Sequence, residues 1–255
     1  MSREHLEEIW RAGMEACLPA RVLPQHLPEP PPGRTVVLAA GKAAAAMARS
    51  VEARWRGPLT GLAVAPHGSG GTLQRVEILP AAHPVPDSSS VAAAERLLAM
   101  ARGAGQDDLV LVLLSGGASS LACLPGEGLE LTEKQSLTSA LLRAGAAIGE
   151  INCVRRHLSR FKGGRLALAA PPARLVTLAI SDVVGDSPED IGSGPTAADP
   201  SSLAEARAIL ARYAVEAPER GWSETPTQVP GALRLVASAA DSLEAAAAKA
   251  RRLGY

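Results

Sequence analysis

Three stretches of the chain place residues whose types suit a phosphorylated ligand. The first, AAGKAAAA at 39–46, sets Lys42 directly after Gly41, where a helix of strong formers begins. A cation at a helix N-terminus opposes the macrodipole at a cost of about 0.3–1 kcal/mol. An anion shared between Lys42 and the helix end would offset that cost; a lysine swinging into water would also escape it. In the second stretch, six apolar residues are followed at once by Ser115, Gly116, Gly117, Ala118, Ser119 and Ser120. Small residues and glycines let successive N–H groups converge on an anion, although an ordinary strand-to-helix turn would read the same way. The third stretch, SDVVGDSPEDIGSGPT at 181–196, carries Asp182, Asp186, Glu189 and Asp190 among glycines. Hard oxygen donors in such a loop suit Mg²⁺, which commonly takes one or two carboxylates and completes its shell with substrate phosphates. Acidic turns also serve solubility alone.

Two further features accompany these. Arg155, Arg156, His157, Arg160, Lys162 and Arg165 fall in one segment, EINCVRRHLSRFKGGRLALAA at 150–170. They are read either as a solvated helix face or as a carboxylate or phosphate clamp, since the planar arginine fork suits bidentate contact. His83 stands in the proline-bounded loop HPVPD, where a solvated histidine is the plainer reading.

The elements that must position these residues follow from apolar patterning. Continuous apolar runs at 35–41, 61–68, 76–84, 109–114, 174–180 and 233–238 read as strands, several of them buried on both faces. Helices are expected at 4–18, 42–55, 88–102, 133–148 and 203–213, and from 241 to 253. Their expected caps are Asp87 or Ser88, a Thr132–Gln135 box, Ser202 with Glu205, and Asp241. Alternation of strand and helix predicts an α/β fold, a doubly wound, mostly parallel Rossmann-like sheet with helices on both faces. Ligands in such sheets bind outside the strand carboxyl ends. The Lys42 turn, the loop at 115–120 and the acidic loop would share that edge. A cation, a bed of N–H groups and carboxylates together suit phosphoryl transfer. Neither G-x-x-x-x-G-K-[ST] nor a strand-following G-x-G-x-x-G occurs, so a P-loop is excluded and a dehydrogenase is disfavoured.

Composition narrows the class further. Apolar residues make up 47% of 255, enough for a large core, while one Phe, two Tyr and three Trp leave little for stacking on bases. Formal charge is zero, so no basic field attracts nucleic acid. No apolar stretch is long enough to span a membrane, and Cys17, Cys123 and Cys153 lack paired spacing, which fits a cytoplasmic location.

Five segments in order, AAGKAA (39–44), AAHPVPD (81–87), LLSGGASSL (113–121), INCVRRHLSRFKGGRLA (151–167) and ISDVVGDSPEDIGSGPT (180–196), resemble the glycerate 2-kinase family. This group is related to tartrate-utilisation proteins often labelled hydroxypyruvate reductases. The resemblance implies ATP-dependent, Mg²⁺-assisted phosphorylation of D-glycerate at its 2-hydroxyl, in a cleft between two α/β domains. It maps the family's proposed catalytic lysine onto Lys42. Arg155 and His83 are the candidates for contact with the substrate, residues 115–120 for phosphate, and Asp182 and Asp186 for the metal. The expected division is an N-terminal α/β domain at 1–230, then a strand-helix unit at 231–255 leading into a truncated C-terminal domain. That further domain supplies an arginine in the family, and SAADSL (238–243) departs from the family's Ser-Asn-rich turn. An NAD(P)H-dependent hydroxypyruvate reductase and a non-catalytic binding fragment are the alternatives, and a homodimer is left open.

Overall fold

The structure, a computed structural model, describes residues 2–255. The six apolar runs form six parallel strands: β1 (Thr35–Ala40), β2 (Leu59–Pro66), β3 (Val76–Ala81), β4 (Leu109–Leu114), β5 (Arg174–Ile180) and β6 (Ala232–Ala237). Their spatial order is β3-β2-β1-β4-β5-β6. β1 and β4 pair in register from Thr35 with Leu109 to Ala40 with Leu114. Both are buried at every position. The strand period of two splits them between two cores. Val36, Leu38, Val110, Val112 and Leu114 face one cluster, while Val37, Ala39, Leu109, Leu111 and Leu113 face the other. Each fully buried Leu or Val contributes roughly 1.5–3 kcal/mol relative to exposure.

The helices are α1 (Arg3–Ala16), α2 (Pro19–Val22), α3 (Ala44–Arg54), α4 (Ser88–Arg102), α5 (Ala118–Leu121), α6 (Leu131–Arg143), α7 (Ile148–His157), α8 (Arg165–Leu168), α9 (Leu203–Arg212) and α10 (Ala239–Arg252). α3 covers one face through Ala44, Met47, Ala48 and Val51, and α4 covers the other through Ala93, Ala94, Leu97 and Leu98. α6, α7 and α9 join in a third apolar cluster around Leu141, Val154 and Leu210. The last strand-helix unit adds β6 beside β5 and lays α10 along α1, where Lys249 meets Glu8 at 2.5 Å. Among the described residues no helix is long and apolar enough to cross a membrane.

Three expected helix starts shift. α3 opens at Ala44 rather than 42, because Gly41 carries a φ of 135° and the chain must turn before winding. Lys42 therefore sits in the turn itself. α6 opens two residues early with Glu130 as its cap, whose N–H donates to the Glu133 carboxylate at 2.7 Å. Gln135 instead donates from Nε2 to the Pro86 carbonyl at 2.6 Å. α6 also stops at Arg143, five residues short, since Gly145 takes a φ of 78°. The cap of α10 is Ser238, and Asp241 serves as its reciprocal partner, accepting the Ser238 N–H at 2.8 Å. Asp87 and Ser202 cap α4 and α9 as expected.

Candidate functional site at the strand carboxyl ends

In the order β3-β2-β1-β4-β5-β6, the strand order switches direction between β1 and β4, the point outside the strand carboxyl ends where sheets of this kind bind ligands. The turn after β1 holds Lys42, and the loop after β4 holds residues 115–120. These loops interlock. The Lys42 N–H donates to the Gly116 carbonyl at 2.8 Å, and the Ala43 N–H donates to Ser115 Oγ at 3.0 Å. A Cβ at Gly41 would lie 2.1 Å from Ser115 Oγ, so only glycine permits this approach.

Lys42 Nζ donates to Asp182 Oδ2 at 3.1 Å, with both side chains about half exposed. Asp182, arriving from the loop after β5, lies directly against Gly116: a Cβ there would be 1.8 Å from Asp182 Oδ2. His83 closes the other side. A Cβ on Gly117 would meet His83 Nε2 at 2.9 Å and Lys42 Cγ at 3.3 Å. The structure thus gathers Lys42, His83 and Asp182 around Gly116 and Gly117, three side chains up to 140 positions apart. Among the described residues, the N–H groups of Gly116, Gly117 and Ser119 donate to no protein acceptor. Backbone donors rarely stay unpaired away from water, so these three are available to a ligand.

The loop hydroxyls are mostly engaged. Ser115 Oγ serves the Ala43 turn, Ser120 Oγ donates to the Gly117 carbonyl at 3.1 Å, and Ser119 Oγ meets Ser193 Oγ at 2.8 Å. The Ser119–Ser193 pair opens a chain of contacts. Ser193 Oγ donates to Asn152 Oδ1 at 3.3 Å, and Arg155 Nη1 reaches the same oxygen at 3.4 Å. Asn152 Nδ2 donates to Asp190 Oδ1 at 3.0 Å, which Arg156 Nη1 also reaches at 3.2 Å. Arg155 is therefore linked to Ser119 through Asn152 and Ser193. Asp190 and Glu189, read from sequence as acidic loop chemistry, instead hold Arg156 through a carboxylate and a carbonyl. Asp186 lies at the loop tip with a φ of 55°. Among the described residues no cluster of three or more His, Cys, Asp or Glu side chains is arranged to hold a metal.

The basic segment is neither a solvated face nor, for the most part, a ligand clamp. Arg156 Nε donates to the fully buried Asp199 at 2.8 Å. Burial pushes the Asp199 carboxyl up, but hydrogen bonds from the Ser201 hydroxyl and N–H, with Arg156, outweigh it and the net direction is down. Arg165 Nη2 holds the 218–231 strap through Ser223 Oγ at 2.6 Å and the Glu224 carbonyl at 2.9 Å. His157 is buried, with Nδ1 2.9 Å from the Cys153 carbonyl. Lys162 Nζ donates to the Ser119 and Ala122 carbonyls at 2.5 and 2.9 Å, directly behind the 115–120 loop. Lys134 Nζ donates to the Arg155 carbonyl at 2.9 Å and to the Leu158 carbonyl. Sequence patterning gave no sign of Lys134, which lies on the buried side of α6.

Burial lowers the Lys162 amine to about 7 and the Lys134 amine to about 8. Both lose their protons in the folded chain at lower pH than in the unfolded chain. Below about pH 7 both states are protonated and the two lysines add no pH dependence. Between about pH 7 and 8.5 the unfolded chain binds more protons, so stability should rise, by up to about 1.4 kcal/mol per pH unit for each fully titrating group. Denaturant unfolding at pH 7.0 and 8.5 measures this rise, and Lys162→Met should flatten its lower half. A flat or falling curve in the parent chain contradicts the buried-amine picture.

Residues 5–222 match the family described as a domain of unknown function, DUF4147. An Agrobacterium vitis protein named as a hydroxypyruvate reductase is 49% identical across 99% of this chain and 60% of its own length. The D-glycerate 2-kinase of Thermotoga maritima is 43% identical over 83% of this chain and 51% of its own. A Thermotoga maritima glycerate kinase crystal structure superposes with a TM-score of 0.89 at 37% identity, covering 99% of this chain and 63% of that one. The chain thus spans about half to three fifths of the length of these relatives, across the stretch that holds all five ordered segments. By sequence and by fold, this chain belongs to the DUF4147 family and is a homologue of proteins named glycerate 2-kinase.

Proposed function

We propose that this chain forms the phosphate-handling half of a glycerate 2-kinase, which moves the terminal phosphoryl group of ATP to the 2-hydroxyl of D-glycerate with Mg²⁺. The observation that carries the reading is the meeting of Lys42 and Asp182 over Gly116, at the crevice between β1 and β4. Phosphoryl transfer asks the protein mainly for positioning and charge neutralisation. Lys42 supplies a half-exposed cation beside the unpaired N–H groups of Gly116, Gly117 and Ser119, where phosphate oxygens would rest. Asp182 would hold Mg²⁺ together with substrate oxygens, with Asp186 on the same loop, and the bound ion neutralises phosphate charge. Arg155 would orient the glycerate carboxylate, and His83 walls the crevice opposite Asp182.

The relatives bearing kinase names support this assignment. Free thiols at Cys17, Cys123 and Cys153 suit a reducing cytoplasm. The test is incubation of the protein with ATP, Mg²⁺ and D-glycerate, with 2-phosphoglycerate as the expected product. Oxidation of NADH by hydroxypyruvate without any phosphorylated product would overturn the reading in favour of a reductase.

A further inference from the structure

Beside the crevice lies a separate cavity of about 280 Å³, between the His83 loop, α6 and the start of α7. Its walls are largely apolar, from Pro84, Val85, Pro86, Leu142, Ile148 and Ile151. It shares two boundaries with the crevice. Pro84 directly follows His83, whose ring lies against Gly117. Arg155 lines the cavity and also reaches Asn152 Oδ1, the acceptor of Ser193, which pairs with Ser119. A ligand lying across both would place an anionic group at Gly116 and Gly117 and a flat apolar group between α6 and the prolines. A larger cavity of about 600 Å³, between α6 and residues 215–220, is lined by none of the crevice residues.

We propose that the 280 Å³ cavity receives the base of the nucleoside triphosphate, an assignment that rests on the kinase reading. D-Glycerate is small and polar throughout and has no apolar face to match Leu142, Ile148 and Val85. A planar base has two, and ligand pockets of this kind combine apolar walls with a few polar groups that fix orientation. Those groups are at hand. Gln135 is held by its Nε2 bond to the Pro86 carbonyl, leaving Oε1 to accept from an exocyclic amine. Ser139 stands at the exposed rim.

The test fills the cavity without touching the crevice. Thr138→Phe and Leu142→Trp both line it, and Leu142 is 60% exposed, so its replacement leaves the core intact. Calorimetric titration with ADP in Mg²⁺ should show at least about tenfold weaker binding in each variant. Titration with inorganic tripolyphosphate, which has no base, should stay within about twofold of the parent chain. Undiminished ADP binding in a folded variant, checked by its circular dichroism melt, overturns the base site while leaving the kinase reading intact. Equal losses for ADP and tripolyphosphate also overturn it, because the cavity would then act on the phosphates. Failure of the parent chain to bind either probe overturns both readings.

Discussion

Replacing Lys42 by alanine should lower kcat for 2-phosphoglycerate formation by about a hundredfold or more. Removing one preorganised group aimed at developing transition-state charge typically costs 10²–10³ in rate, and Lys42 is the cation that stands beside Gly116 and Gly117. The fold should not notice. Lys42 lies in a turn outside α3, and its pair with Asp182 is half exposed on both sides, a class of interaction worth about 0–1 kcal/mol. Lys42→Arg, which keeps the charge on a larger planar head, should fall between the alanine variant and the parent. The measurement is kcat at saturating ATP and D-glycerate beside a thermal melt. An alanine variant with parental kcat removes Lys42 from the reaction, and one with a collapsed melt assigns it to stability.

The second large effect concerns folding. Arg156→Met should destabilise the chain by about 3–5 kcal/mol, because Asp199 would remain buried without its cation. The pair is among the least exposed in the molecule, at 5% for Arg156 and 0% for Asp199. Arg156 also holds Asp190 and the Glu189 carbonyl, so its loss frees the acidic loop as well. For a chain of this length that loss corresponds to roughly a 10 °C fall in Tm. The double variant Arg156→Met with Asp199→Leu should recover part of the deficit, since a matched apolar pair leaves no charge stranded. A single variant melting within about 2 °C of the parent would show that water enters and solvates Asp199.

Much of the frame is legible in the sequence. Leu109–Leu114 and Arg174–Ile180 read as buried strands because every residue but a few is apolar, and doubly covered strands leave that mark. Lys42, Gly116 and Asp182 could be assigned to one edge because parallel strands send all their carboxyl ends the same way. The basic segment was not legible. Arg156 and Lys162 look alike in sequence with Arg155, yet their partners lie 43 residues or about as far away, at Asp199 and at Ser119. Only the fold shows which cation is buried by a distant carboxylate or carbonyl and which, like Arg155, lines a cavity. The misplaced start of α6 has a local cause: Thr132 and Gln135 form a plausible box, but Glu130 and Glu133 form one two residues earlier and the helix takes the longer option.

The contact between Lys42 and Asp182 has a consequence for ligand selection. At rest the two charges cancel, so the crevice presents a balanced dipole rather than a positive lure. A bare anion that drew Lys42 away would be left facing the Asp182 carboxylate at close range, and a bare cation on Asp182 would face the lysine. Only a ligand that brings both signs at once, as a metal–phosphate complex does, satisfies each partner as it separates them. On the proposed kinase reading, the half-exposed pair would bias the site modestly toward the complex over either of its components.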